Sequence, residues 1–166
     1  AYVKWDVESD PQIYINQYAR DVLYVPDAIK QIADTEDLYR NTIFYDLDSV
    51  NYMEELADRQ LDPAGVEISA IDFKYNSISA NIVTEEGTFV NFSQCYYPGW
   101  KAYVDGEETE LYLVNGVIMG MEVPSGTHHL VFSYESTSVW IGGAISLGTV
   151  LILAAAFLLS RRRREK

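Results

Sequence analysis

The chain holds 166 residues, of which 25 are acidic and 12 basic, for a net charge of −13. Such a surface repels nucleic acid and anionic lipid headgroups, which excludes both as partners of the folded part. Cys95 is the single cysteine, so no intrachain disulfide is possible and the fold stands on packing alone. The acidity reads as a solubilising or halophilic surface, or as one that attracts cations.

Taken in order, Tyr2 to Val7 alternates, with Val3, Trp5 and Val7 on one face, and predicts a half-buried strand. Ile13 and Ile15 suggest a second short strand and Val22 to Val25 a third. Pro26-Asp27 then opens a predicted helix in which Ala28, Ile29, Ile32 and Ala33 share a face. Thr42 to Leu47 is strand-like, and Asp48 or Ser49 caps a second predicted helix running to about Arg59. These elements make a small mixed α/β unit, residues 1–62, that ends at Leu61-Asp62-Pro63-Ala64-Gly65.

From Val66 the pattern is β throughout. Val66, Ile68 and Ala70 share one face while Ile71, Phe73 and Tyr75 share the other, which predicts a bulge near Ala70. Strands follow over 77–82, 88–97, 100–104, 107–114, 117–123 and 127–135. Asp105-Gly106 and Asn115-Gly116 are hairpin signals, because a type I′ turn needs two residues tolerant of positive φ. About seven short strands at even spacing predict an antiparallel β-sandwich, residues 63–138. Cys95 is expected as a small buried hydrophobe within a strand, and Asn91-Phe92-Ser93 matches the glycosylation sequon.

Trp140 to Ser160 contains no charge over 21 residues. At about 1.5 Å per residue this makes a helix of roughly 30 Å, the hydrocarbon thickness of a bilayer. Residues 139–160 are therefore expected to span a membrane, and 161–166 to form a basic tail. Arg161, Arg162, Arg163 and Arg164 place that tail in the cytoplasm and residues 1–139 outside. Removing span and tail leaves seven basic against 24 acidic residues, a net −17 for the outer part. Trp140 is expected at the headgroup level, and Gly142-x-x-x-Ser146 and Ala144-x-x-x-Gly148 set small residues on neighbouring helix faces. The first ten residues carry neither a starting Met nor an apolar signal segment. The expectation is a mature chain or the carboxy-terminal piece of a longer one. The overall class is mainly β: a sandwich ectodomain, a small α/β amino-terminal unit and one carboxy-terminal transmembrane helix.

No nucleophile motif, metal-spaced cluster or phosphate-binding loop is present, and no cofactor is expected. His128 and His129 are adjacent, so on a strand they face opposite ways and cannot chelate one ion. Asp105, Glu107, Glu108 and Glu110 cluster around a hairpin, where turn-forming and solubility explain them better than an acid pair does. The aromatic group Tyr96, Tyr97, Trp100, Tyr103 and Tyr112 could stack on a pyranose, or could be sandwich core and turn anchor. Tyr96, Tyr97, Trp100 and Tyr103 are the candidate carbohydrate contacts.

The run Tyr96-Tyr97-Pro98-Gly99-Trp100-Lys101-Ala102-Tyr103-Val104-Asp105-Gly106 resembles the carboxy-terminal part of the YfhO family of bacterial multi-spanning membrane proteins. The likeness continues through Val123-Pro124-Ser125-Gly126-Thr127-His128-His129 and Phe132-Ser133-Tyr134-Glu135, and more loosely backwards to Ile15-Asn16-Gln17-Tyr18-Ala19-Arg20. The resemblance implies an extracytoplasmic domain and final span of a glycosyltransferase-like protein that uses a polyprenyl-phosphate sugar and acts on envelope polymers of the lipoteichoic acid type. Its partners would be the bilayer, upstream transmembrane helices, and envelope glycopolymer or the polyprenyl-linked sugar. The catalytic carboxylate expected in such proteins lies in an early extracytoplasmic loop that has no counterpart here, so this piece is expected to be non-catalytic. The alternative is a stand-alone single-pass surface protein whose sandwich binds carbohydrate or a partner protein.

Overall fold

The computed structural model describes residues 2–4, 14–16, 20–40, 46–47 and 49–164. The chain divides into two compact units, Ala1–Ser133 and Tyr134–Lys166.

In the first unit, β1 (Tyr2–Lys4) and β2 (Tyr14–Asn16) pair antiparallel. The short strand β3 (Leu23–Tyr24) follows, and then β4 (Ala28–Gln31), α1 (Thr35–Arg40), β5 (Val50–Met53) and β6 (Arg59–Gln60). β4 pairs parallel with β5 and antiparallel with β6, so β4–α1–β5 is a small crossover unit. Both expected helices here are replaced by strands. Ala28 and Ile29 are buried side by side, and Asn51, Tyr52 and Met53 are buried in succession. A strand covered on both faces loses its period of two, and its apolar residues then imitate helical spacing. The helix that does form, α1, begins after Asp34, whose Oδ1 accepts from the Glu36 N–H at 2.8 Å. The expected strand over 42–47 lies mostly outside the described residues.

A 3-10 turn (Pro63–Gly65) leads into β7 (Val66–Phe73), β8 (Ser77–Thr84), β9 (Thr88–Cys95) and β10 (Trp100–Val104). β11 (Glu107–Thr109), β12 (Tyr112–Val114), β13 (Ile118–Val123) and β14 (Gly126–Tyr134) complete the sheets. The five-stranded sheet runs β11-β10-β14-β8-β7 and the four-stranded sheet β12-β13-β9-β3. The expected strand over 107–114 breaks at Glu110-Leu111 and its halves join different sheets. The bulge falls where expected: the β7–β8 register shifts between Ser69 and Asp72, with Ala70 at φ 50°. Asp105, Gly106, Asn115 and Gly116 all have positive φ, as their turns require.

The sandwich core joins Ile78, Ile82, Leu130 and Phe132 of the first sheet to Leu23, Val90, Phe92, Met119 and Met121 of the second. Behind the four-stranded sheet a second core holds Phe89, Tyr112 and Val114 against Ile29 and Met53. β9 is thus buried on both faces from Thr88 to Phe92. Gly120 is needed on this back face, because a Cβ there would meet Phe89 Cε1 at 2.3 Å.

Polar keys fix the α/β layer to the sandwich. Asn51 and Asn91, 1% and 0% exposed, exchange two amide hydrogen bonds of 2.8 Å. Asn115 accepts from the Tyr52 N–H at 2.7 Å and donates its own N–H to Tyr52 O at 3.0 Å. Tyr39 donates its hydroxyl to Gly116 O, its ring lying where a Cβ on residue 116 would stand. The sequon reading fails on this geometry: Asn91 is buried and its amide is engaged. The burial expected for Cys95 also fails, because β9 runs out of the core after Phe92 and Cys95 is exposed.

In the second unit α2 (Thr137–Arg164) is one unbroken helix of 28 residues, about 42 Å long. Its stretch Thr137–Ala155 has mean hydropathy 1.9 and none of it is buried within the protein. An apolar helix with no protein cover has the composition and length of a membrane span. Trp140 is exposed, and Thr149 donates its hydroxyl to Ile145 O at 3.0 Å, which hides that group along the helix.

Candidate functional site

The strands bring two chemically distinct groups to opposite ends of the sandwich. At the end where Gly126 pairs with Thr84, the Asp105 turn meets β14. Asp105 donates its N–H to His129 O at 2.8 Å, and its Oδ1 accepts from the His129 N–H at 2.8 Å. Its Oδ2 accepts from His128 Nδ1 at 2.6 Å, while His128 Nε2 lies 3.2 Å from Ser125 O. Both ring nitrogens thus face acceptors, an arrangement satisfied by the imidazolium. The hydrogen bond to Asp105, then that to Ser125, raises the His128 pKa against a smaller effect of burial. The bonds from His128 and then from His129 lower that of Asp105. A histidine engaged in this way is a structural ion-pair member rather than a free base. As the sequence implies, the two histidines diverge: His129 Nδ1 lies 2.9 Å from Asn81 Oδ1.

The same end carries a polar cleft of about 190 Å³ lined by Asp62, Thr84, Glu85, Glu86 and Thr88. The buried Thr88 hydroxyl there has no hydrogen-bond partner among the described residues. Among the described residues no group of three or more His, Cys, Asp or Glu is placed to hold a metal ion.

At the opposite end, Phe92 stacks edge-on against Trp100 at 5.5 Å and packs on Phe132 at 5.1 Å. The turn Tyr97-Pro98-Gly99-Trp100 closes with the Trp100 N–H donating to Tyr97 O at 3.2 Å, Gly99 taking φ 111°. It sends the Trp100 ring inward and leaves Tyr97 61% exposed. Tyr96 donates its N–H to Val117 O at 2.8 Å and is 41% exposed. Of the four candidate carbohydrate contacts, Tyr96, Tyr97 and Trp100 therefore gather at one end. Tyr103 alternates with the buried Ala102 and lies on the outer face of the five-stranded sheet. Tyr112, the fifth member of the aromatic group, stands apart in the back core. Burial, and then its bond to Glu110, push its hydroxyl up to about 12.

The family model for the bacterial membrane protein YfhO matches residues 35–146, from α1 into the apolar helix. The chain belongs to the YfhO family. No curated protein and no solved structure matches it. The YfhO match covers the α/β layer from α1 onward, strands β7 to β14 and the first turns of α2, and leaves β3 and β4 outside it. It also encloses groups that sequence reasoning passed over. Phe73 and Tyr75 flank the β7–β8 turn at 65% and 106% exposure, and Tyr39 and Val117 are about half exposed beside the β12–β13 turn. The signal was available, since a turn reading Lys74-Tyr75-Asn76 puts a large ring where turns ordinarily carry small polar residues.

Proposed function

We propose that this YfhO-family chain is the extracytoplasmic domain and last membrane helix of a multi-spanning protein that transfers sugar from a polyprenyl-phosphate carrier to an envelope polymer of the lipoteichoic acid type. In this reading residues 1–62 and 63–138 work together outside the bacterial cell membrane, 139–160 cross it, and Arg161 to Arg164 hold the tail in the cytoplasm. Trp140 sits at the headgroup level. The domain is non-catalytic: it presents the aromatic end to the sugar and braces upstream helices. The observation that carries the reading is the family match, whose bounds, residues 35–146, take in the β domain and the start of the apolar helix. The aromatic end supports it, because Tyr96 and Tyr97 offer exposed rings beside the indole of Trp100, and such rings stack on the apolar face of a pyranose.

The test is binding of a radiolabelled polyprenyl-phosphate hexose to the full chain in lipid nanodiscs, with Tyr97→Ala as the comparison. Saturable binding that weakens up to about tenfold on loss of one stacking ring is expected. Absence of saturable binding would remove the sugar role. It would leave the alternative of a single-pass surface protein that recognises another partner.

A further inference from the structure

We propose that the aromatic end of the sandwich docks onto the surface of the bilayer that α2 crosses, with the β7–β8 turn as its deepest point. The proposal rests on α2 being a membrane span and not on the sugar reading.

Large apolar side chains are exposed unevenly over the described residues of the first unit. Phe73, Tyr75, Tyr96, Tyr97, Val117 and Tyr39 lie at one end and Ile71 on the strand leading to it, whereas Val83, 44% exposed, is the one at the other end. The register fixes which end this is. Phe132 pairs with Ile78 and Ser133 with Ser77, so the β7–β8 turn stands beside the last residues of β14. Phe73 pairs with Ile78, and the Lys74 N–H donates to Ser77 O at 2.8 Å, closing the turn with Tyr75 at its tip. Cys95 pairs with Ile118, which brings the β9–β10 and β12–β13 turns to the end where Phe92 meets Phe132.

Chain connectivity names the occupant. From Ser133 to Thr137 is four residues, a reach of at most about 14 Å, and at Thr137 the chain enters the apolar helix. A spanning helix starts at the headgroup level, so the end of the sandwich that feeds it is tethered within reach of that level. Apolar bodies with polar tips, as in Tyr75, Tyr96 and Tyr97, are the side chains that partition into this zone. Lys74, between Phe73 and Tyr75, adds a stem that can lie along apolar surface with its charge in the headgroups. Asp62, Glu85, Glu86 and Asp105 are at the opposite end, while at the aromatic end Asp72, beside Phe73, lies 3.9 Å from Lys74 Nζ, and Glu36 on α1 pairs with Arg40 at 2.9 Å. The expected repulsion therefore orients the sandwich rather than expelling it.

The test uses the full chain in vesicles of phosphatidylcholine with phosphatidylglycerol. Tyr75→Cys, Tyr96→Cys and Glu86→Cys are each made with Cys95→Ser and labelled with an environment-sensitive fluorophore. All three positions are exposed, and circular dichroism checks that each variant folds. Lipid-borne quenchers carried near the headgroups are expected to quench the labels at 75 and 96 several-fold more than the label at 86. Equal, weak lipid quenching at all three positions would overturn the proposal. So would labels at 75 and 96 that are shielded from aqueous iodide yet untouched by lipid quenchers, an outcome that would identify a protein cover. Loss of sugar binding in the nanodisc experiment with lipid quenching intact would sink the sugar reading and leave this one standing.

Discussion

The two ends of the sandwich solve the same backbone problem with different side chains. Each carries a turn with positive φ at two successive residues, Asp105-Gly106 at one end and Asn115-Gly116 at the other. At the first end the side chains are acidic or hydrogen-bonded inward: Asp105 holds His128 and His129, and Glu85 and Glu86 face water at a polar cleft. At the second, Phe73, Tyr75, Tyr96 and Tyr97 are turned out. Strand reversal requires none of these rings, so they are not there to make turns. A water-facing surface ordinarily scatters such groups, and the gathering of most of them at one end supports the proposed contact with the bilayer.

The comparison breaks most severely if the packing beneath the aromatic end is removed. Phe92 holds both Trp100 and Phe132, and Phe92→Ala is expected to cost about 3–5 kcal/mol in denaturant unfolding, with loss of order at the Tyr97 turn. The latch to the α/β layer comes next. Asn91→Ala leaves the Asn51 amide buried and unpaired, a cost of about 1–3 kcal/mol, whereas replacing both by Leu should cost less than the single change. Unfolding curves of the two variants decide this.

A smaller, pH-dependent effect belongs to the acidic end. The folded pKa of His128 is raised above 6.5. Its contribution is therefore complete below 6.5 and is lost as pH rises through the raised value. Asp105, lowered from 3.8, contributes above 3.8 and loses that contribution as pH falls through its lowered value. Thermal unfolding between mildly acidic and alkaline pH should show a modest decline that Asp105→Asn flattens, and an NMR titration should place His128 above its ordinary value. The smallest effect on stability is expected at the tip: Tyr75→Ser should change unfolding by no more than about 0.5 kcal/mol while weakening contact with vesicles.

The legible parts of the fold were those with one face buried or with unambiguous turn chemistry. β8 alternates strictly between Ser77 and Ile82, and both glycine turns and the bulge at Ala70 stand where their residues predict them. The α/β layer misled because it is covered on both sides. In Ala28-Ile29 and Asn51-Tyr52-Met53 consecutive residues are buried, and no period of two survives. Phe89 carried the same information, since Phe89, Val90 and Phe92 form an almost continuous apolar run that signals a second layer behind β9. Of the candidate site, the Tyr96-to-Trp100 turn was legible as a local motif. The large ring in the Lys74-Tyr75-Asn76 turn is legible too, but that Phe73 and Tyr75 share an end with Tyr96 and Tyr97 is not, because it follows only from the pairing of β7, β8 and β14.

We propose that the β domain lies outside the cell while the arginine tail of α2 lies inside. The most direct test labels intact cells with a membrane-impermeant maleimide, using Glu86→Cys in one strain and Lys166→Cys in another, both with Cys95→Ser. The account predicts that residue 86 is labelled in intact cells and residue 166 only after permeabilisation. Labelling at 166 but not at 86 would place the domain in the cytoplasm and contradict it.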